Sequence, residues 1–357
     1  MNTFRHYLTK YLLLWLVLAC FFAFFWKKFC GAEISNPFLL SKWAMQMFIA
    51  LTMLMIGSLL PIEEVKQVGR RWKTVFGGTA VQFISMPLLA FLTAHLFHLN
   101  NAYFIGVVLV GCVPGAMASN MLTMIARGNV SYSVSLTTSA TLLSPFIVPF
   151  ALVVCLGTRV SLNVTEISLT LLLTVVLPVV LGFSFSRISQ LWQNLSEKIG
   201  EIVANIVIIW IIASVVAQNR ELIFQLNPIL FLALLFLNLG GYMAGYWGGF
   251  LMKIDSKMRR ALVLEIGMQN AGLGTFLATQ YFPKTPEAAL CCAMYTFGCM
   301  FTGIILAQVC RNFFSNDLLT LSSDEIASVQ NETPSLSKMT SVSDTNVLPN
   351  DSQKDAS

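Results

Sequence analysis

Glu265-Ile266-Gly267-Met268-Gln269-Asn270-Ala271-Gly272-Leu273-Gly274 lies between the apolar runs Ala261–Leu264 and Thr275–Phe282. A carboxylate, two carboxamides and three glycines inside a membrane-length segment are costly, because an unpaired charge or an unsatisfied backbone group finds no water there. A helix interrupted at Gly267–Gly274 answers the cost. It frees carbonyls at one half-helix end and N–H groups at the other, and Glu265, Gln269 and Asn270 add side-chain ligands. Cations and an anionic solute fit such a place. A glycine-rich packing seam is the plainer alternative, but a seam has no use for Glu265.

The surrounding composition agrees with a membrane reading. Of 357 residues 56% are hydrophobic and 11% charged, and the mean hydropathy is +0.72, whereas a soluble domain carries about 25% charged residues. Apolar runs predict ten spanning helices, near 9–29, 40–60, 74–97, 102–126, 130–156, 164–186, 199–218, 228–252, 258–282 and 287–311. The first has Arg5 and Lys10 before it but a bulky core, Leu12–Trp26, and no small-residue cleavage site, so it reads as an uncleaved span. The eight cysteines show no C-x-x-C pair, which points to neither a disulfide framework nor a zinc site.

The net charge of +5 reads as topology rather than nucleic-acid binding, since the basic residues are spread over short loops. With the N-terminus inside, cytoplasmic segments hold 14 lysines and arginines and the opposite side 6. Both termini are therefore expected in the cytoplasm. After Phe314 the chain turns to Ser, Thr, Asn and Asp, and residues 313–357 are expected to form a disordered cytoplasmic tail behind a transmembrane domain of 1–312.

A second polar concentration, Gly111-Cys112-Val113-Pro114-Gly115-Ala116-Met117-Ala118-Ser119-Asn120, predicts a break in the fourth span, because Pro114 cannot donate a backbone hydrogen bond. Ten spans divide into two sets of five. In each set the fourth is interrupted, and an odd number of helices per set inverts one repeat relative to the other. Ser133, Thr137 and Thr141 share one face of the fifth span, and Gln82 is an isolated amide in the third. For both, helix packing is the competing role.

These residues together resemble a family. The run Gly111–Asn120, then Ala126-Arg127-Gly128-Asn129-Val130 and Ser133, and the run Glu265–Gly274 look like the two signature regions of the bile acid:sodium symporter family, in a ten-helix member of the bacterial type. The resemblance covers roughly residues 10–312. It implies an all-α fold of two inverted five-helix repeats with helices 4 and 9 discontinuous. A core domain would hold spans at about 74–156 and 228–311, and a panel domain those at about 9–60 and 164–218. It implies sodium-coupled import of an organic anion, with sodium as co-substrate and no cofactor. One ion site would use Ser119, Asn120, Ser133, Thr137 and Glu265; the other Gln82, Glu265, Met268, Gln269 and the Ile266 carbonyl. Asn270, Met117, Pro114, Gly115 and Ala118 would face the anion.

Two departures bear on the solute. Met117 stands where relatives usually carry a small or hydroxyl residue, and Met294-Tyr295-Thr296-Phe297 occupies the region of a Trp-His-Asn motif. Steroid conjugate, pantoate-like hydroxy acid and keto acid all remain open as cargo. The expected partners are the anion, sodium and the lipid bilayer, with no nucleic acid, and the expected location is a bacterial inner membrane. Three alternatives stand beside this reading: proton coupling through Glu265, a metalloid exporter using Cys112, and an intramembrane enzyme. The enzyme is the weakest, because no nucleophile–base pair or metal-ligand spacing can be assigned.

Overall fold

In hydrocarbon only a helix or a closed barrel satisfies its own backbone, and the computed structural model takes the helical solution, with no strand among the described residues. Those residues are 7, 8, 11–31 and 34–331, with side chains described as far as Phe313. The chain begins with α1 (Leu12–Cys30) and α2 (Lys42–Leu59), then a short amphipathic α3 (Ile62–Arg70) and the long α4 (Trp72–Leu96). Next come α5 (Asn101–Cys112), α6 (Ala118–Ile125) and α7 (Val130–Leu156). The remainder is α8 (Val164–Ile188), α9 (Gln190–Gln218), α10 (Pro228–Leu251), α11 (Ser256–Gly267), α12 (Ala271–Tyr281) and α13 (Pro286–Asn331). Eight of these are long and apolar enough to cross a membrane, α13 through its segment Pro286–Phe313. The chain is an integral, multi-pass, all-α membrane protein.

The short helices fall where the polar runs lie. Between α5 and α6, Val113 is extended at φ −75°, ψ 156°, as the residue before a proline tends to be. Between α11 and α12 there is no proline. Met268 leaves the helical region at φ −112°, ψ 91°, and Asn270 restarts the helix at once by accepting from the backbone N–H of Leu273 at 3.1 Å. This corrects the expected interruption at Gly267–Gly274: only residues 268–270 are unwound, while Gly272 and Gly274 belong to α12. An asparagine cap closes a break within one residue, and glycine composition alone does not show that.

Two further differences concern amphipathic segments that a hydropathy window passes over. Helix α9 starts at Gln190, nine residues before the expected 199, because Gln190–Lys198 is too polar to score as a span. Helix α3 was not anticipated. The Ser131 hydroxyl at the start of α7 lies against the Glu64 carboxylate, to which it donates, and 2.7 Å from the Gln67 side-chain oxygen, which ties α3 to that helix.

Helices α2, α8 and α9 pack on one another, and α1 packs on α9. Helices α2 and α8 approach closely: a Cβ on Gly57 or Gly182 would fall 2.0 or 2.1 Å from the carbonyl oxygens of Val179 and Leu54. Helices α4, α5, α7, α10 and α11 form a second mutually packed set, with α6 seated on α7 and α11. The chain divides into one unit through Arg311 and another from Asn312. In the second unit the helical backbone runs to Asn331, into the segment whose composition predicts disorder; the rest of the expected tail, 332–357, lies outside the described residues.

Candidate ion and solute site

The two unwound segments cross and pair with each other. Ala116 N–H donates to the Met268 carbonyl at 2.7 Å and Asn270 N–H to the Pro114 carbonyl at 2.8 Å, an antiparallel bridge centred on Gly115 and Gln269. Backbone groups that two broken helices would leave without partners are thus satisfied by exchange. The crossing also dictates Gly115, because a Cβ there would lie 2.2 Å from Glu265 Oε1.

Glu265 is fully buried at this point. Ser119 Oγ donates to its Oε2 at 2.5 Å and Thr137 Oγ1 to its Oε1 at 2.7 Å. Thr123 Oγ1 donates to Ser133 Oγ at 3.3 Å. Four elements, α6, α7, α11 and the crossing, therefore converge on one carboxylate that pairs with no cationic side chain among the described residues. Hydroxyls alone surround it, so its charge when ionised is offset only by a bound cation or by a proton.

Several buried polar atoms in the same neighbourhood have no protein partner: Asn120 Oδ1, Gln269 Oε1 and Gln82 Nε2. Native proteins leave few such atoms unpaired; the Asn120 and Gln269 oxygens are free to face a cation, whereas the Gln82 amide N–H needs an acceptor. The other end of Gln269 is committed, its Nε2 donating to the Ile266 carbonyl at 2.7 Å. One carboxylate with hydroxyl, amide and main-chain oxygens is a donor set for a hard cation rather than for a thiophilic metal.

The candidate residues are not all equivalent. The structure gathers Ser119, Ser133, Thr137 and Glu265 into one cluster, with Asn120 beside it on α6. Gln82 of α4 and Ile266, Met268 and Gln269 at the end of α11 are all buried, and the Met268 thioether turns toward Gly303 of α13. Among residues considered for the anion, Pro114 and Gly115 are buried in the crossing, whereas Met117, Ala118 and Asn270 remain partly exposed. Met117 and Asn120 border a cavity whose one wall is Thr137, Thr138 and Thr141 of α7, and whose other is Ile56 and Leu60 beside α2 with Val179 of α8. Cys112 is buried against the thiol of Cys155. Asn238 of α10, buried near the end of α11, was missed by sequence reasoning; an isolated amide in an apolar helix, the signal that singled out Gln82, could have found it.

Half-helices that stop inside a bundle of membrane length and meet around a buried carboxylate are the geometry of a secondary transporter's midplane site. The chain belongs to the sodium bile acid symporter family, which it matches over residues 46–226. That match includes the first break and ends before the second. Similarity to individual relatives is longer. The chain is 32% identical over 261 residues to the uncharacterised sodium-dependent transporter YocS of Bacillus subtilis, covering 73% of this chain and 80% of the relative. It is 30% identical over 266 residues to the "Probable sodium/metabolite cotransporter BASS1, chloroplastic" of Arabidopsis thaliana, covering 74% of this chain and 65% of the relative. For the protein of the same description in Oryza sativa subsp. japonica the figures are 29% over 291 residues, 81% and 71%.

Proposed function

We propose that this chain couples sodium entry to import of an organic anion by alternating access. The observation that carries the reading is Glu265, paired with no cationic side chain among the described residues and held by Ser119 and Thr137 where the two breaks cross. Sodium at Ser119, Asn120, Ser133, Thr137 and Glu265, and a second ion at Gln82, Glu265, Met268, Gln269 and the Ile266 carbonyl, would offset that charge. The ions then favour the conformation that accepts the solute, in proportion to their differential affinity for it. The anion is received by the N-terminal ends of α6 and α12, with Met117, Ala118 and Asn270 as its contacts. The cavity, with threonines of α7 on one wall and aliphatic residues of α2 and α8 on the other, has about 30 Å³ of room, the size of a water, so the anion enters in a more open conformation.

In this reading the interrupted pairs α5/α6 and α11/α12 each count as one crossing, which gives ten spans in two inverted repeats. The set containing α4–α7 and α10–α13 is the core, and α1, α2, α8 and α9 are the panel. Tyr281 at the end of α12 donates to Thr170 Oγ1 of α8 at 2.6 Å. Such a contact closes one side of the core–panel seam, while the cavity at Leu60 lies toward the other, an arrangement that supports alternating access. Both termini face the cytoplasm of a bacterial cell: cysteines introduced at Lys73 and Lys257 label from inside and one at Lys284 from outside, and outside labelling of Lys257→Cys in intact cells overturns the orientation.

The decisive experiment is uptake of candidate carboxylates and sulfonates into proteoliposomes, with a sodium gradient at fixed pH and with a pH gradient in sodium-free buffer. Uptake that follows sodium alone supports the proposal. Uptake indifferent to sodium and driven by pH makes Glu265 a proton carrier and overturns it.

A further inference from the structure

The last turn of a helix leaves its carbonyls without intrahelical partners, and at the end of α11 these can be followed one by one. The Leu264 carbonyl accepts from Met268 N–H at 3.1 Å, the Ile266 carbonyl from Gln269 Nε2 at 2.7 Å, and the Met268 carbonyl from Ala116 N–H at 2.7 Å. The Gly267 carbonyl is treated differently. It accepts two side-chain hydrogen bonds from outside the crossing, Asn238 Nδ2 of α10 at 2.7 Å and the Tyr295 hydroxyl of α13 at 2.8 Å.

Asn238 and Tyr295 are themselves buried and fixed. Thr302 Oγ1 donates to Asn238 Oδ1 at 2.6 Å and lies 3.1 Å from the Tyr242 hydroxyl, so the amide is held at both ends. The Tyr242 ring occupies the space where a Cβ on residue 267 would stand, at 2.1 Å, which explains the glycine. Both lone pairs of the Gly267 carbonyl are therefore committed to protein donors. The carbonyls on either side, at Ile266 and Met268, have one partner each and keep a second lone pair free.

We propose that Asn238 and Tyr295 are positioning residues for the second ion. By anchoring the Gly267 carbonyl to α10 and α13, they turn that oxygen away from the crossing and fix the Ile266 and Met268 carbonyls as ligands beside Gln82 and Gln269. The inference rests on the two-ion reading above. It adds a claim that reading does not contain: sodium affinity is set partly by helices that contribute no ligand.

Tyr295→Phe removes one hydroxyl and keeps the ring, and Asn238→Ser shortens the reach while retaining a polar group. For each, two quantities are measured on the purified full-length protein: thermal stabilisation by sodium chloride against choline chloride, and uptake as a function of sodium. The expected result is a rise of about three- to tenfold in the half-saturating sodium concentration, the scale of one lost hydrogen bond, with maximal uptake at saturating sodium nearly kept. Asn238→Asp, which retains the side chain's length but puts an acceptor where an amide donor stood, should weaken sodium further than Asn238→Ser. Variants with wild-type sodium midpoints but reduced maximal uptake overturn the positioning role and leave the two-ion reading standing. A wild-type protein whose stability and uptake ignore sodium overturns both.

Discussion

The two helix breaks meet around the same carboxylate but are built by different physics. The first, at 113–117, is written into covalent structure. Pro114 has no N–H to give and extends Val113. The second, at 268–270, contains neither proline nor a positive φ. It is held open by partners: Ala116 on the Met268 carbonyl, Asn238 and Tyr295 on the Gly267 carbonyl, and the Asn270 cap. A break set by local chemistry persists whatever surrounds it, whereas one set by contacts can respond to what binds beside it. The break that carries Glu265 is the responsive one.

Glu265→Gln gives the largest expected effect on that comparison, because it keeps size and an oxygen but removes the charge. Sodium affinity should fall by about a hundredfold or more, the scale of removing one partner from a buried charge pair, with uptake partly restored at high sodium. The measurement is uptake against sodium at fixed pH and matched surface expression. If Gln in place of Glu leaves the sodium midpoint unchanged, the carboxylate does not bind the ion, and the second break loses its assigned role.

Next in size is a pair of alanines placed at the two breaks. In Gly115→Ala the new methyl would sit 2.2 Å from Glu265 Oε1 and must displace the carboxylate from Ser119 and Thr137. In Gly272→Ala it meets only Asn270 Oδ1, at 3.6 Å. The first should raise the half-saturating sodium concentration about tenfold or more, and the second should leave it within about twofold, since ordinary contact carries little strain. Equal effects from the two would mean that glycine at 115 serves backbone freedom alone and not the close approach to Glu265.

The unequal construction of the breaks also explains what could be read from the sequence. Pro114 and Gly115 located the first break, because proline acts on its own neighbours. For the second, three glycines suggested an interruption running to Gly274, but what ends it is the Asn270 side chain, and Gly274 instead lies beside Cys292 Sγ, 3.1 Å from where its Cβ would be. The cluster of Ser119, Thr137 and Glu265 was legible as polar residues at helical spacing together with the family resemblance. The Asn238–Tyr295 anchor was not, since its members lie 29 and 28 residues from Gly267 and nothing local links them. Contacts across helices are set by packing, which single-sequence patterns do not encode.

The smallest expected effect concerns the solute side of the first break. Met117 immediately precedes α6 in helical conformation, φ −61°, ψ −22°, and its side chain borders the cavity with Asn120, Thr137 and Thr141. A residue with those angles does not adopt the extended geometry of a side-chain cap, so Met117→Thr should gain no capping bond, and thermal stability should move little. It does exchange a thioether for a smaller hydroxylated group on a wall that already carries three threonines. Competition by hydroxylated or smaller carboxylates should strengthen, and that by bulky apolar anions weaken, each by about three- to tenfold, the usual worth of a hydrogen bond or a methylene in such a pocket. The half-saturating sodium concentration should stay within about twofold, because the ions' oxygens belong to neighbouring residues. Inhibition constants measured across a panel of carboxylates and sulfonates test both halves: an unchanged ranking removes Met117 from the solute site, and a shifted sodium midpoint shows that the first break, like the second, answers to the ion.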